Sequence, residues 1–414
     1  MSPATNLHRR TFAALRHRNF RLFWFSQLVS LSGTWMHAVA QAWLVLELTN
    51  QPFWLGAVAA AGTLPVLAFS LFGGVAADRL PKRTLLLTTQ SFSAVLALAL
   101  GLLVATGHVR VWQVLAVALL LGTANALDLP ARQSFIVEMV GREDLLNAIA
   151  LNSLTFNAAR VIGPAVAGTI VAAAGTAACF LVNAASFAPV LAALALMRGL
   201  PPVAPSSGGS VLEHLREGFA YAAGERRFQG LIALVAAGSF FGFPCVTLLP
   251  AFARDVLHTD ARGYGMLMAT TGVGAIVSAL AIASRHKSGV GGRVVVGAGL
   301  GFGAALVLFA ASRSFLTAVP LLAIAGGGMV AQAASANTLV QAMAPDALRG
   351  RIMSMFTLVL MGAMPLGNLL IGALAGLIGT MAAVAVFGAA LCAAIALITL
   401  ARREVMSPGS FERP

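Results

Sequence analysis

Acidic side chains are scarce in this chain. Only 14 of 414 residues are Asp or Glu, and charged residues of both signs make up 10%, against about 25% in soluble globular domains. So little charge cannot clothe a water-facing surface, and 59% hydrophobic residues with a mean hydropathy of +0.87 point to lipid as the solvent. Cysteine is nearly absent: Cys179, Cys245 and Cys392 stand singly in different apolar stretches, which excludes a disulfide framework and a cysteine metal motif. Histidines and carboxylates do not gather inside the apolar stretches, so a membrane enzyme finds no catalytic set. Gly326-Gly327-Gly328 and the other glycine runs are followed by no Gly-Lys-Ser/Thr, so no phosphate loop is expected, and no cofactor. Close packing of helices is their expected role.

What is present is a series of apolar stretches, at 20–48, 53–77, 84–106, 111–127, 148–174, 176–197, 228–253, 263–284, 294–311, 315–340, 352–378 and 380–401. A hydrocarbon core about 30 Å thick takes about 20 helical residues, so each is long enough to cross. Ala, Leu, Gly and Met fill them without period-two alternation, which favours helices over a strand barrel. The expectation is an all-α membrane protein with twelve transmembrane helices.

The net charge of +13 raises nucleic acid as a partner, but the basic residues form no compact domain. With the N-terminus inside, the segments Arg9 to Arg21, Arg79 to Arg83, Arg132 to Arg142, Arg198 to Arg227, Arg285 to Arg293, Arg349 to Arg351 and Arg402 to Arg413 fall on one side. Arg110, Arg254, Arg262 and Arg313 alone fall on the other. That asymmetry follows the positive-inside rule and puts both termini in the cytoplasm of a cell whose inner (plasma) membrane holds the chain. No nucleic-acid partner is expected.

Pro201, Pro202, Pro205 and Ser206 to Gly209 form a flexible linker, followed by a short amphipathic piece from Val211 to Ala222. It divides the spans six and six. The expected organisation is a lead-in over 1–18, a bundle over 19–197, a linker over 198–227, a second bundle over 228–402 and a tail over 403–414. A weak repeat agrees: the segment from Phe135 to Leu146 before span five parallels that from Thr338 to Arg349 before span eleven, and parallel six-helix halves are a transporter plan.

The turn Gly74-Val75-Ala76-Ala77-Asp78-Arg79-Leu80-Pro81-Lys82-Arg83 resembles the motif between spans two and three of the major facilitator superfamily, where Gly, Asp-Arg and two basic residues recur at this spacing. Pro81 stands where the general pattern has a second Gly, and stiffens the turn; this is similar to the branch of enterobactin-exporter-like and drug-efflux-like members. Gly33-Thr34-Trp35-Met36, Gln41 to Thr49, Asp128-Leu129-Pro130-Ala131-Arg132-Gln133, Asn157 to Pro164 and Arg349-Gly350-Arg351 fit that branch too. The resemblance covers 10–400. It implies two pseudo-symmetric six-helix bundles, the major facilitator fold. Gly163-Pro164 followed by Gly168 resembles the superfamily's fifth-span antiporter motif, implying a kinked helix at the cavity and export; one glycine stands where the fuller motif has a pair.

The charged turn suggests an inner gate. Asp78 is placed to meet the positive N-terminal end of the eleventh helix near Ile352, and Arg79 or Arg83 to pair with Asp128 at a half-desolvated boundary. Gly74, Lys82 and Arg132 complete the motif set. For Lys82 the competing reading is that it only enforces topology.

A cavity is suggested by spacing. Gln27, Ser30, Thr34, His37 and Gln41 are three or four residues apart and share one helix face. That face either lines a water-filled cavity, the favoured reading, or bonds to neighbouring helices. Ser153, Asn157 and Arg160 repeat the device in span five. A lone basic residue in a membrane core costs about 2.5–3.5 kcal/mol on insertion scales, so Arg160 either meets substrate or the coupling ion, or is paired structurally. Thr357, Met361, Met364 and Asn368 share a face of span eleven, as adaptable thioether lining or as plain core. Gln332, Asn337 and Gln341 add polar contacts in span ten.

With no nucleotide site, an ion gradient is the remaining energy source. No carboxylate lies at mid-membrane, while His37 titrates near neutral pH when unperturbed. The expected function is alternating access by a secondary transporter, in monomer form, with protons as coupling ion and a small amphipathic, drug-like or siderophore-like molecule as exported substrate. Uptake or lipid-type transport is the alternative, and a non-transporting sensor a more distant one.

Overall fold

A chain in lipid must satisfy its own backbone N–H and C=O groups, and a helix does so within one segment. The computed structural model describes residues 12–199, 220, 224–284, 291–345 and 348–406, and among them every regular element is helical. Helices α1 (Arg18–Thr49), α2 (Pro52–Arg79), α3 (Lys82–Ala105), α4 (Val111–Val140) and α5 (Leu145–Leu196) come first. They are followed by α6 (Arg226–Ala237), α7 (Leu249–Asp255), α8 (Ala261–Ser284), α9 (Gly292–Ala311), α10 (Phe315–Met343), α11 (Arg349–Ile378) and α12 (Thr380–Ala401). The expected linker from Pro201 to Gly209, most of the amphipathic piece after it, residues 1–11 and 407–414 lie outside the described residues, as does the side chain of Asp78.

Ten segments among the described residues are long and apolar enough to cross a membrane. Helix α1 is 32 residues long, but its polar stripe leaves it less apolar than those ten. Helix α5 spans 52 residues, about 80 Å at 1.5 Å per residue, and is two arms rather than one rod. Gly175 breaks it with φ 77° and ψ 173°, at the junction expected between 174 and 176. A side chain would strain that backbone.

Residues 228–253, expected as one span, lie within one apolar helical segment, Arg226–Asp255, whose winding changes part-way. Between α6 and α7 the chain runs through a π-helical turn, Gly238–Gly242, and a 3-10 turn, Phe243–Leu248. Pro244 lacks an N–H and its ring crowds the carbonyl four residues back, that of Phe240, so the regular helix cannot continue. The Phe240 carbonyl is pressed against Gly367 of α11, where an added Cβ would overlap it.

The chain clusters into two compact units, Met1–Leu44 with Pro65–Ser207, and Val45–Leu64 with Gly208–Pro414. In the first unit α3 packs against α4 and α5. Its core joins Phe20, Phe23, Leu86, Phe135, Ile136, Leu151 and Val190, and Phe23 meets Phe135 edge to face at 5.9 Å. In the second unit α10 lies against α8 and α9, and α9 against α12. Gly326 of α10 touches the Thr271 carbonyl of α8 so closely that a Cβ would not fit, the close packing expected of the glycine runs.

The chain enters α1 through a 3-10 turn, Ala13–Arg16, that is docked rather than loose. Ala14 N–H donates to Asn147 Oδ1 at 2.9 Å. Arg16 Nε and His17 Nε2 reach Asp144 Oδ2 at 2.9 and 2.7 Å. The His17 hydrogen bond, then the Arg16 charge, hold the Asp144 carboxyl below the ordinary aspartate range.

Candidate functional site

The most concentrated polar group in the first unit surrounds Asp128, which is buried in α4. Its carboxylate accepts from Thr89 Oγ1 at 2.8 Å and Gln90 Nε2 at 2.7 Å, both on α3. Arg132, one turn along α4, donates from Nε at 3.0 Å and from Nη2. The same guanidinium sends Nη1 to Gln27 Oε1 of α1 at 2.9 Å. Three helices are thereby tied by one carboxylate and one guanidinium. Gln27 Nε2 and Gln90 Oε1 are buried in the cluster without hydrogen-bond partners, so it retains donor and acceptor capacity for a rearranged set of bonds.

The pairing of Asp128 therefore differs from the expected one with Arg79 or Arg83. An i, i+4 partner on its own helix takes the carboxylate. Arg83 instead donates Nη2 to the Ala195 carbonyl at 2.8 Å, at the C-terminal end of α5, where unsatisfied carbonyls carry the negative end of the helix dipole. Arg18 Nη1 reaches Leu196 O at 3.1 Å and Asn19 Nδ2 reaches Arg198 O at 2.8 Å, completing a polar cap. Lys82 does more than bias topology, since its Nζ lies 2.6 Å from Glu138 Oε1. Arg79 is exposed. Gly74, at the head of the motif, has nothing within 4 Å of a built Cβ, whereas a Cβ on Gly73 would overlap the Ala126 carbonyl.

The stripe on α1 divides by depth. Gln27, Ser30 and His37 are buried, Gln41 is half-buried and Thr34 is exposed. His37 Nε2 lies 3.2 Å from Gln41 Oε1, and its Nδ1 lies 3.3 Å from Asn183 Nδ2 on the second arm of α5. An amide oxygen only accepts and an amide nitrogen only donates, so the ring fits as the neutral tautomer with its hydrogen on Nε2. Ser186 Oγ, 3.3 Å from Asn183 Oδ1, orients that amide. The imidazole is further closed in by Phe180, edge on at 4.9 Å.

Arg160 is half-buried on the first arm of α5, with Cζ 5.9 Å from the Trp35 ring centroid. Phe156 sets that ring from the side, its centroid 6.0 Å away. A desolvated cation–π contact is worth about 2 kcal/mol, less than the about 2.5–3.5 kcal/mol such a charge costs in a membrane core. Asn157, one turn back, turns its amide to the Ser153 carbonyl at 2.8 Å. Gly163, Pro164 and Gly168, the motif expected to kink the helix, are buried, and Gly163 sits against the Ser32 carbonyl and Trp35 Cβ of α1.

In the second unit Thr357 is exposed on α11, Met361 and Met364 are half-buried, and Asn368 is buried. Asn368 Oδ1 accepts from Thr247 Oγ1 at 3.0 Å, on the 3-10 turn beside α7. Gln332 is buried and donates to the Leu234 carbonyl at 3.0 Å, just before the π-helical turn. Asn337 and Gln341 bond to each other at 3.2 Å on the exposed side of α10.

Thr89, Gln90, Glu138, Asn183 and Thr247 enter here as new partners, and Trp35, already part of the segment Gly33 to Met36, gains a contact with Arg160. Thr89-Gln90 and the pair Asn183 and Ser186 are polar residues inside apolar stretches, which was a usable signal. Trp35 gave none.

The family profile described as transmembrane secretion effector matches residues 9–409. The chain belongs to that family. It is a transporter of the major facilitator superfamily, in the enterobactin- and drug-exporter-like branch, and not an enzyme. The multidrug efflux pump Tap of Mycolicibacterium fortuitum is 28% identical over 86% of this chain and 89% of its own length. The enterobactin exporter EntS of Shigella flexneri is 24% identical over 90% of this chain and 88% of its own. The staphyloferrin A transporter of Staphylococcus aureus is 26% identical over 63% of this chain and 66% of its own. The nucleoside transporter NupG shares the fold of this transporter, with a TM-score of 0.73 at 13% identity over 92% of this chain and 98% of the other.

Proposed function

We propose that this transporter exports a small amphipathic organic compound, drug-like or siderophore-like, by alternating access, with protons as the coupling ion. Twelve spans follow if α1 crosses despite its polar stripe and α5 crosses twice about Gly175, in six-helix halves over 19–197 and 228–402 with both termini cytoplasmic. Relatives named as a multidrug efflux pump and an enterobactin exporter support the substrate class and direction.

The observation that carries alternating access is the segment Val45–Leu64. It precedes the linker by more than a hundred residues, yet it clusters with the unit that holds α6 to α12. Gly56 of α2 packs on Gly372 Cα and the Asn368 carbonyl of α11, with no room for a Cβ. Arg254 at the end of α7 donates Nη2 to Asn50 Oδ1 and Nη1 to Leu46 O, the latter at 3.5 Å. Asn50, with φ 51°, caps the end of α1. In the orientation proposed, these contacts form the outer latch that opens for release. The turn holding Asp78, Arg79, Lys82 and Arg83, with Asp128 and Arg132, acts at the inner end. Thr34, His37, Gln41, Asn157 and Arg160 line the substrate path of the first unit, and Thr357, Met361 and Met364 that of the second.

The test uses inverted membrane vesicles loaded by transport from a panel of amphipathic compounds. Uptake that stops when an ionophore collapses the pH gradient supports proton-coupled export. Uptake indifferent to that gradient removes proton coupling, and no uptake of any compound removes export. Arg160→Ala is expected to abolish uptake or change its selectivity.

A further inference from the structure

A pocket of about 520 Å³ opens in the first unit between the start of α1, the last turn of α4 and the end of α5, lined by His17, Arg18, Asn19, Met139 and Arg198. That volume falls in the range of about 300–1,000 Å³ usual for ligand sites. Its lining holds two guanidinium groups and an imidazole and no carboxylate. His17 of the lining touches an acid, Asp144, which Arg16 also holds.

The rim of the pocket is built rather than incidental. Arg18 and Asn19 hold the carbonyls of Leu196 and Arg198, so the two ends that form its walls are fixed to each other. The α5 terminus offers about half a negative charge against two guanidinium charges, so an excess of positive charge faces the opening. Arg18 gives one N–H to Leu196, while a guanidinium has five.

The geometry points to a binding site for a phosphate group, and specifically for the headgroup phosphate of an anionic phospholipid. Arg forks match phosphate oxygens in pairs, and basic pockets at the ends of membrane helices suit lipid headgroups. Leu196, next to the pocket, is 53% exposed, and Leu146 on the neighbouring arm is 83% exposed. Exposed apolar surface at Leu196, whose carbonyl Arg18 holds, fits a ligand with both a phosphate and acyl chains, which a soluble anion lacks. The bound lipid would fasten the α1 entry to the α5 exit without touching the substrate path.

The experiment is native mass spectrometry of the full-length protein, delipidated and then titrated with phosphatidylglycerol or phosphatidylcholine of the same chains. One phosphatidylglycerol should be retained at least tenfold more tightly than phosphatidylcholine, and Arg198→Gln should reduce that retention about tenfold. Arg198→Lys should keep part of it, and Arg313→Gln, which removes the same charge elsewhere, should leave it intact. Arg18→Gln serves as a second lesion if Arg198→Gln fails to fold. Equal retention of the two lipids, or retention unchanged in both pocket variants, overturns the site. Millimolar inorganic phosphate is the second arm: failure to displace the lipid supports the lipid source, and binding of phosphate alone with no preference among lipids overturns it in favour of a soluble anion.

Discussion

Arg132 stands one helical turn after Asp128 on α4 and meets its carboxylate through Nε at 3.0 Å, so the pair is made within one helix. Thr89, Gln90 and Gln27 fasten α3 and α1 to it. Removing one member of a buried ion pair leaves the other charge uncompensated, at a cost of about 3–5 kcal/mol. Asp128→Ala should lower stability by that amount. The double variant Asp128→Ala/Arg132→Met should be more stable than the Asp128→Ala single, because no buried charge is left behind. Thermal unfolding in detergent measures both, and additive losses would show that the two residues do not act as a unit.

His37 bonds on both sides as a neutral ring. Those bonds can be copied in part by an uncharged amide, whereas proton carriage cannot. His37→Gln is expected to retain transport with the same pH profile. His37→Ala, which leaves Asn183 and Gln41 without their partner, should lose about 1–3 kcal/mol of stability. A flattened pH profile of transport in His37→Gln would instead make the ring a proton carrier.

The adjacent glycines of the charged turn should respond in opposite ways. Gly73→Ala pushes a methyl into the Ala126 carbonyl and should destabilise by about 1–3 kcal/mol, as overpacking does. Gly74→Ala meets open space and gains helix propensity, about 0.5–1 kcal/mol, so stability should hold or rise. If Gly74→Ala keeps its stability but loses transport, the open space beside it is needed when the inner end moves.

Local spacing made much of this legible, and long-range pairing did not. The break at Gly175 follows from two apolar stretches meeting at one glycine, whereas the Asp128 and Arg132 pair, although an i, i+4 relation, was missed in favour of Arg79 or Arg83. The change of winding between α6 and α7 has its sequence marks in Gly238, Gly242, Pro244 and Pro250 within thirteen residues, but hydropathy alone does not show the effect of Pro244 on the Phe240 carbonyl. The partners of Arg83 and Lys82 were not readable. A main-chain carbonyl such as that of Ala195 has no residue identity to search for, and Glu138 lies across from Lys82 only once α2, α3 and α4 have packed.

The docked entry turn gives a prediction on pH. Asp144 has its carboxyl held below the ordinary aspartate range by the His17 hydrogen bond and by Arg16. A group whose native pKa is depressed stabilises the fold above its unfolded pKa, about 3.9 for aspartate, and the contribution is lost as pH falls through the native value. Docking of the segment Ala13–Arg16 should therefore be complete at neutral pH and weaken in acid below about pH 4. Trypsin does not work in that range, but pepsin does, so cleavage next to Phe12 and Leu15 provides the readout. Cleavage should rise as pH falls below 4 in the wild type. In Asp144→Asn, which lacks the titrating group, it should be high already at the upper end of pepsin's range and change little with further acid, and a wild-type acid response in that variant would place the titrating group elsewhere.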